Sequence, residues 1–294
     1  MKSFYDLILG LCCFKSVEQT SRLIYSTNKL AGDILIAITT VMPEDTKELH
    51  GRIHSMTNHD VMLMQSKVDS RYFCQNWGFV YCFNRGIHAS FWGTMDDDTE
   101  FMGAGDLVNQ LYEADRVGFS VMGFSSTSHG YAGYVGLETI GKYKSLIFVD
   151  GHNMFSHYED NILYGLCDQF GEGNTSYVEV EYCNRLKYFT GKPIVANGER
   201  TFIRHLFRAD PYVNSLRVPF ESRDMKNGEE LYLHKYGITI YPGDVAHFSW
   251  LSVIDEMNRC DTKQRLQQLC YGGMNMDWVE IYKKFGKEFT HVYP

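Results

Sequence analysis

The sequence predicts an α/β fold in which helices flank a mostly parallel sheet, and three observations carry that prediction. Short apolar runs alternate with helix-period segments from residue 6 to residue 64, the β-α-β-α-β order of a parallel sheet. A later apolar run, Ser90 to Met95, ends in three consecutive aspartates, Asp96, Asp97 and Asp98. Ligands of such sheets bind at the carboxyl ends of the strands, where this acidic triplet lies.

Taken in order, Asp6 to Phe14 is a short apolar run flanked by polar residues, which suits a buried strand. It resembles the apolar part of a signal peptide, but Tyr5-Asp6 stand where positive charge is expected. Ser16-Val17-Glu18-Gln19 has the form of a capping box and predicts a helix to about Leu30. Gly32-Asp33 turns the chain into a second strand, Ile34–Thr39. Pro43 suits a first helical turn, and Leu49, Ile53 and Met56 recur on one face. Val61–Met64 is the third strand. Asn76 is placed to cap the next helix, with Phe79, Val80, Phe83 and Ile87 facing a core.

Asp96 and Asp98 stand two residues apart after the apolar run. In an extended backbone their carboxylates point the same way. Two hard oxygen ligands side by side can hold a divalent cation that is shared with phosphates. The alternative is an acidic loop after a core strand. No G-x-G-x-x-G or G-K-[ST] loop occurs, which disfavours a dinucleotide enzyme or a P-loop NTPase.

Asn76, Gly78, Asn84, Gly86-Ile87 and Ala89, followed by Asp96-Asp97-Asp98, together resemble the glycosyltransferases of the GT-A fold, family-2-like, with a DxD motif. The resemblance implies a Rossmann-like α/β/α sandwich with a mostly parallel central sheet and a C-terminal acceptor-side extension. It implies a nucleotide-sugar donor, expected to be a UDP-sugar such as UDP-glucose, and Mn²⁺ or Mg²⁺. Asp96 and Asp98 would hold the metal. Asp96, Asp97, Phe14, Thr39 and Asn84 would contact the nucleotide-sugar, with base and ribose against Phe14-Lys15 and Thr39-Thr40. The first loop, CCFKSVEQT, lacks the P-x-Y/F-N usual in the family.

After the aspartates, Leu107, Val108 and Leu111 mark a helix and Val117–Phe124 a strand. Ser125 to Gly136 is rich in Ser and Gly and reads either as a surface connection or as a mobile lid with His129 in it. Ser145–Asp150 is a further apolar strand. Beyond it, Ile162, Leu163, Leu166, Cys167 and Phe170 give a helical face. Ser156-x-x-Glu159 has capping-box form, and Glu159-Asp160 fall in a first turn, where the helix dipole favours acids. F-S-x-Y-E-D-N-x-L resembles the family's E-D element, which implies Asp160 as the general base toward the acceptor hydroxyl and transfer with inversion.

Residues 184–226 carry nine basic residues against four acidic ones, +5 in a chain of net charge -8. They are Arg185, Lys187, Lys192, Arg200, Arg204, Arg208, Arg217, Arg223 and Lys226. Such a stretch either pairs with carboxylates elsewhere or attracts a nucleic-acid acceptor. Two acceptors are therefore open: a glycan or small-molecule hydroxyl, or a hydroxymethylated base in DNA met through residues 185–226, as in viral DNA modification. A non-catalytic nucleotide-sugar-binding module is a further alternative. Late in the chain, His247-Phe248-Ser249-Trp250 resembles the family's H-[YF]-S-W element, which implies His247 as a third metal ligand or a diphosphate contact. The resemblance implies a nucleotide-sugar-binding and catalytic core over 1–196 and an acceptor-side segment over 197–294 packed on the same core.

The overall acidity gives no general attraction to nucleic acid or anionic membrane. No apolar run reaches the roughly 18 residues of a membrane span. Eight cysteines lack any C-x-x-C pair, and their places on core faces suit reduced thiols and a cytoplasmic location.

Overall fold

The computed structural model describes residues 1–14, 16–66, 71–103, 106–124, 135–146, 148–149, 151, 153–167, 178–197, 203–205 and 289–291. Its strands are β1 (Phe4–Cys13), β2 (Ile34–Thr40), β3 (Asp60–Ser66), β4 (His88–Met95), β5 (Thr99–Phe101), β6 (Val121–Phe124), β7 (Val135–Ile140), β8 (Tyr143–Leu146), β9 (Asn153–His157), β10 (Ile194–Asn197), β11 (Ile203–His205) and β12 (Phe289–His291). The helices are α1 (Val17–Ser26), α2 (Pro43–Arg52), α3 (Arg71–Asn84), α4 (Leu107–Val117), α5 (Tyr158–Tyr164) and α6 (Val178–Thr190).

Ten strands form one sheet in the order β12-β3-β2-β1-β4-β9-β6-β10-β8-β7. β3, β2, β1 and β4 run parallel to one another. β9 runs against both of its neighbours, β4 and β6. β12 and β8 also oppose their neighbours. Strand order reverses at β1, whose two partners are β2 and β4, so the carboxyl ends of β1 and β4 form a topological switch point.

Helices cover both faces. On one, Val17, Leu23 and Ile24 of α1, Leu49 of α2, and Leu107, Val108 and Leu111 of α4 pack on Leu7, Leu9, Leu11, Ile34, Ile36 and Ile38. On the other, Trp77, Phe79 and Val80 of α3 and Tyr158 of α5 meet Ile8, Leu35 and Ala37. There α6 packs Tyr182, Cys183 and Leu186 against Val121 and Ile194. Apolar side chains on both faces explain why β1 and β2 read as continuous hydrophobic runs. Each such full burial contributes about 1.5–3 kcal/mol.

Several expected caps and boundaries differ. α3 begins at Arg71, so Asn76 is interior and donates instead to the Cys167 carbonyl at 2.6 Å. Ser16 makes no cap bond to α1, because its hydroxyl is taken by Asp97. α1 ends at Ser26 and a 3₁₀ turn carries the chain to Lys29. Val117 closes α4, and Gly118 delays the strand to Val121. The strand expected at Ser145–Asp150 lies earlier, at Tyr143–Leu146. Ser156 belongs to β9, and its hydroxyl joins Tyr182 and Asn161 in a buried network, so it makes no capping box with Glu159. Leu163, expected on the buried face, is exposed. Phe170 and residues 125–134 lie outside the described residues. Beyond the boundary expected near Asn197, β11 pairs with β5 and β12 with β3.

A close approach at the sheet centre positions α3. Gly10 of β1 has no Cβ, and one placed there would lie 2.4 Å from the Trp92 ring and 3.2 Å from the Gln75 carbonyl of α3. The Trp92 indole therefore lies across Gly10, edge-on to Phe79 with ring centroids 5.3 Å apart. We expect Gly10→Ala to lower stability by about 1–3 kcal/mol through overpacking. The loss should shrink when Trp92→Phe shortens the neighbouring ring. Urea unfolding of both single variants and the double variant measures this coupling; equal losses in both backgrounds would contradict the contact.

Candidate functional site

Met95 ends β4, and the three aspartates follow in a turn, not in extended backbone. Thr99 donates to the Asp96 carbonyl through both its amide (3.2 Å) and its hydroxyl (2.6 Å). The premise that Asp96 and Asp98 align by strand alternation therefore fails, and the turn sets their places instead. Asp97 and Asp98 are buried, and the Asp96 side chain is 15% exposed. The turn is braced from α1 at both ends. Ser16 Oγ donates to the Asp97 carboxylate. Ser26 Oγ accepts from the Phe101 amide at 2.9 Å, and Lys29 Nζ donates to the Phe101 carbonyl at 2.8 Å. Asp97 is thus a brace that ties the turn after β4 to Ser16, which follows β1, across the switch point.

The first turns of α3 supply what the sequence reading missed. Arg71 and Gln75 lie four apart on one helix face. Gln75 Nε2 donates to the Met95 carbonyl at 3.1 Å and fixes the last residue of β4. The Arg71 guanidinium lies 2.8 Å from Asp96 Oδ1 and also donates to the Gly151 carbonyl ahead of β9. Burial alone would pull the Arg71 pKa down, but Asp96 foremost, then Tyr72, Glu179 and Asp98, hold it above the usual arginine value. Beside it, Tyr72 Oη donates to Glu179 Oε2 at 2.9 Å. Burial, outweighing Arg71, raises the Tyr72 pKa well above that of a free phenol and keeps it a neutral donor. Gly151 is needed where these groups converge. A Cβ there would lie 2.7 Å from Tyr72 Oη, 2.9 Å from Arg71 Nη2 and 3.6 Å from Glu179 Cδ. Their common signal was an arginine and a glutamine at i, i+4 before an apolar helix, hidden by starting that helix at Asn76.

The remaining expected residues divide between the two edges of the sheet. Register pairs Leu11 with Met95 and Cys12 with Thr39, so Phe14, Thr39 and the aspartates share the carboxyl edge. Thr39 is completely buried, and its hydroxyl has no hydrogen-bond partner among the described residues. It floors this edge and offers no surface contact. Asn84 is the exposed last residue of α3, from which the chain enters the amino end of β4, so it cannot reach the same ligand.

Asp160 is separated for a related reason. β9 runs antiparallel to β4, pairing Met95 with Asn153 and Phe91 with His157. Asp160, after His157, therefore lies toward the amino end of β4, four residues of strand from Met95 at about 3.3 Å each. There its Oδ2 faces His157 Nδ1 at 3.3 Å, while His157 Nε2 reaches Asp115 of α4 at 2.7 Å. His157 also stacks on Phe119 with centroids 4.7 Å apart. Asp160 has a structural explanation, as part of a pin between α5 and α4.

His247, Lys15, His129 and the basic residues Arg200, Arg208, Arg217, Arg223 and Lys226 lie outside the described residues. Of the described basic residues, Arg185 is completely buried and donates to the Leu166 carbonyl at 2.7 Å and to that of Tyr164. Arg204 pairs with Glu100 at 2.9 Å. Neither adds an uncommitted charge to a nucleic-acid surface.

A divalent cation fits the chemistry of this turn. The donors are carboxylate oxygens, and the turn gathers three consecutive acids with Asp98 1% exposed. Charges at that depth need compensation. No three His, Cys, Asp or Glu side chains converge on one metal position among the described residues. An ion held by one or two of these carboxylates would take its remaining ligands from substrate phosphates and water.

The chain matches no family model and none of the curated proteins. It is similar to the solved structure of the mannosyltransferase PcManGT from Pyrobaculum calidifontis in complex with GDP-Man and Mn²⁺. That likeness has 9% identity, a TM-score of 0.48, and covers 96% of this chain and 82% of that one. It is also similar to GalNAc-T7 with UDP, GalNAc and Mn²⁺, at 10% identity and a TM-score of 0.50, over 96% of this chain and 58% of that chain. At such identities the likeness speaks for the architecture, and with the strand order above it establishes that this chain has the GT-A fold.

Proposed function

We propose that the chain is a divalent-cation-dependent glycosyltransferase that moves a sugar from a nucleoside-diphosphate sugar to an acceptor hydroxyl. One observation carries this reading: the acidic turn Asp96–Asp98 sits at the β1/β4 switch point, where the fold binds ligands, and is braced across it by Ser16. The absence of dinucleotide and P-loop signatures and the GT-A fold support the same reading. Asp96 and Asp98 hold the cation, Mn²⁺ or Mg²⁺, and Phe14 flanks the nucleotide at the end of β1. When bound, the cation acts as a Lewis acid on the departing diphosphate.

Glu179 takes the general-base role that the sequence suggested for Asp160. It opens α6 on the carboxylate-bearing edge and is held by the Tyr72 hydroxyl. A carboxylate that removes the acceptor proton during direct displacement gives inversion. A neutral glycan or small-molecule hydroxyl is the acceptor class we favour, since two basic residues of the 185–226 stretch are committed within the fold. UDP-sugars are the first donors to test, followed by GDP-sugars.

Asp98→Asn should abolish Mn²⁺-dependent binding of UDP and GDP while leaving thermal unfolding near that of the parent. Calorimetry showing unchanged metal-dependent affinity would contradict the cation assignment.

A positioned general base contributes about 10²- to 10⁴-fold in rate. Glu179→Gln should therefore slow donor hydrolysis by that order with donor affinity nearly unchanged. Asp160→Asn should leave hydrolysis near the parent rate and lower the urea midpoint, because it loosens the His157 pin. The opposite pattern would return the base to Asp160.

A further inference from the structure

We infer that Arg71 is the resident counter-ion of Asp96, which the divalent cation must displace, so that the cation and the nucleoside diphosphate enter as a pair. This rests on the reading of Asp96 and Asp98 as cation ligands, and it adds an order of binding that the fold does not dictate.

The geometry is specific. The Arg71 guanidinium lies 2.8 Å from Asp96 Oδ1, with the two side chains 27% and 15% exposed, so solvent screens the pair only in part. The same Nη2 donates to the Gly151 carbonyl, and Gly151, lacking a Cβ, lets the guanidinium approach. A guanidinium and a divalent cation on one carboxylate repel each other strongly at such separations. The cation alone must therefore break this partly buried ion pair and move the arginine into unfavourable company. A nucleoside diphosphate changes the balance. Its phosphate oxygens accept from a guanidinium fork as a carboxylate does, so Arg71 exchanges one anion for another while Asp96 turns to the metal. The guanidinium keeps its charge through the exchange, since arginine is not deprotonated in proteins. In this role Arg71 is a positioning residue. It acts on the metal through Asp96 and makes the two ligands bind cooperatively.

The test reads Mn²⁺ binding directly, by the electron paramagnetic resonance signal of free Mn²⁺, without nucleotide and with UDP or GDP. The parent should bind Mn²⁺ weakly alone and much more tightly with the nucleotide. Arg71→Met should bind Mn²⁺ alone about 10- to 100-fold more tightly, the order expected when a like charge a few ångströms from the cation is removed. In that variant the nucleotide should add correspondingly less. Arg71→Lys, which keeps the charge, should stay near the parent. By linkage, the factor by which Mn²⁺ raises UDP affinity must fall equally in Arg71→Met. Arg71→Gln carries the same expectation should the methionine variant not fold. Folded neutral variants that bind Mn²⁺ alone no better than the parent would overturn the inference and leave the proposed function standing. No Mn²⁺ binding to the parent with either nucleotide would overturn both.

Discussion

Strand β4 lies between β1, which runs with it, and β9, which runs against it. That reversal decides which side chains can meet. Residues following β4 emerge at the carboxyl edge beside those following β1 and β2. Residues following β9 emerge at the other edge. Asp96–Asp98 and Asp160 both follow strands of the same sheet, yet the antiparallel ladder holds them apart. What reaches the aspartates is the first turn of α3, where Arg71 pairs with Asp96 and also bonds the Gly151 carbonyl ahead of β9. The pairing of one strand thus fixes the composition of the site more firmly than any single contact within it.

The same edge concentrates negative charge at a depth where water does not screen it well. Three adjacent carboxylates would repel one another and lose hydration on burial. The fold offsets this from separate directions. Ser16 hydrogen-bonds Asp97, Arg71 pairs with Asp96, and Lys29 and Ser26 pin the strand that follows. The ligation of a cation by Asp96 and Asp98 would complete the compensation. Such a turn is stable because its neighbours are built around its charge, and not because the turn is intrinsically favourable.

The parts of the fold legible in the sequence were those governed by local pattern. Apolar runs at Leu7–Leu11, Ile34–Ile38 and Met62–Met64 are buried on both faces, and their composition says so without reference to anything distant. Pro43 opens α2 for a reason contained in its own ring. The acidic turn was legible as a feature, and its edge followed from parallel connectivity. Side-chain partners were not. Ser16 has every mark of a helix cap, yet its hydroxyl bonds a residue 81 positions away. Ser156 likewise has the capping-box spacing and sits in a strand. Capping pattern registers only the local option, and tertiary hydrogen bonds to buried carboxylates or phenols outcompete it. The place of Asp160 was hidden at another level. E-D in a first helical turn is real, but the direction of β9, which decides its edge, leaves no trace in spacing. Glu179 and Arg71 were not singled out because their convergence at Gly151 is not visible in spacing.

Helix α3 is the element through which these constraints meet. Within its first five residues it reaches Asp96 with Arg71, Glu179 with Tyr72, and the last carbonyl of β4 with Gln75. It cannot drift to accommodate a ligand. Gly78 lies against Ala37 so closely that an added Cβ would stand 3.1 Å from the alanine methyl, and Trp92 lies over Gly10 beneath the same helix. A packed interface of this kind is stiff, since any shift opens voids or forces overlaps. Adjustment on ligand binding is therefore left to side chains, and among them to the long, partly exposed ones. Arg71 qualifies: its backbone is fixed by the helix, while its Nη2 lies between the Asp96 carboxylate and the Gly151 carbonyl. A rigid helix that presents one exchangeable cation beside a buried acidic turn would couple metal and diphosphate without moving the fold.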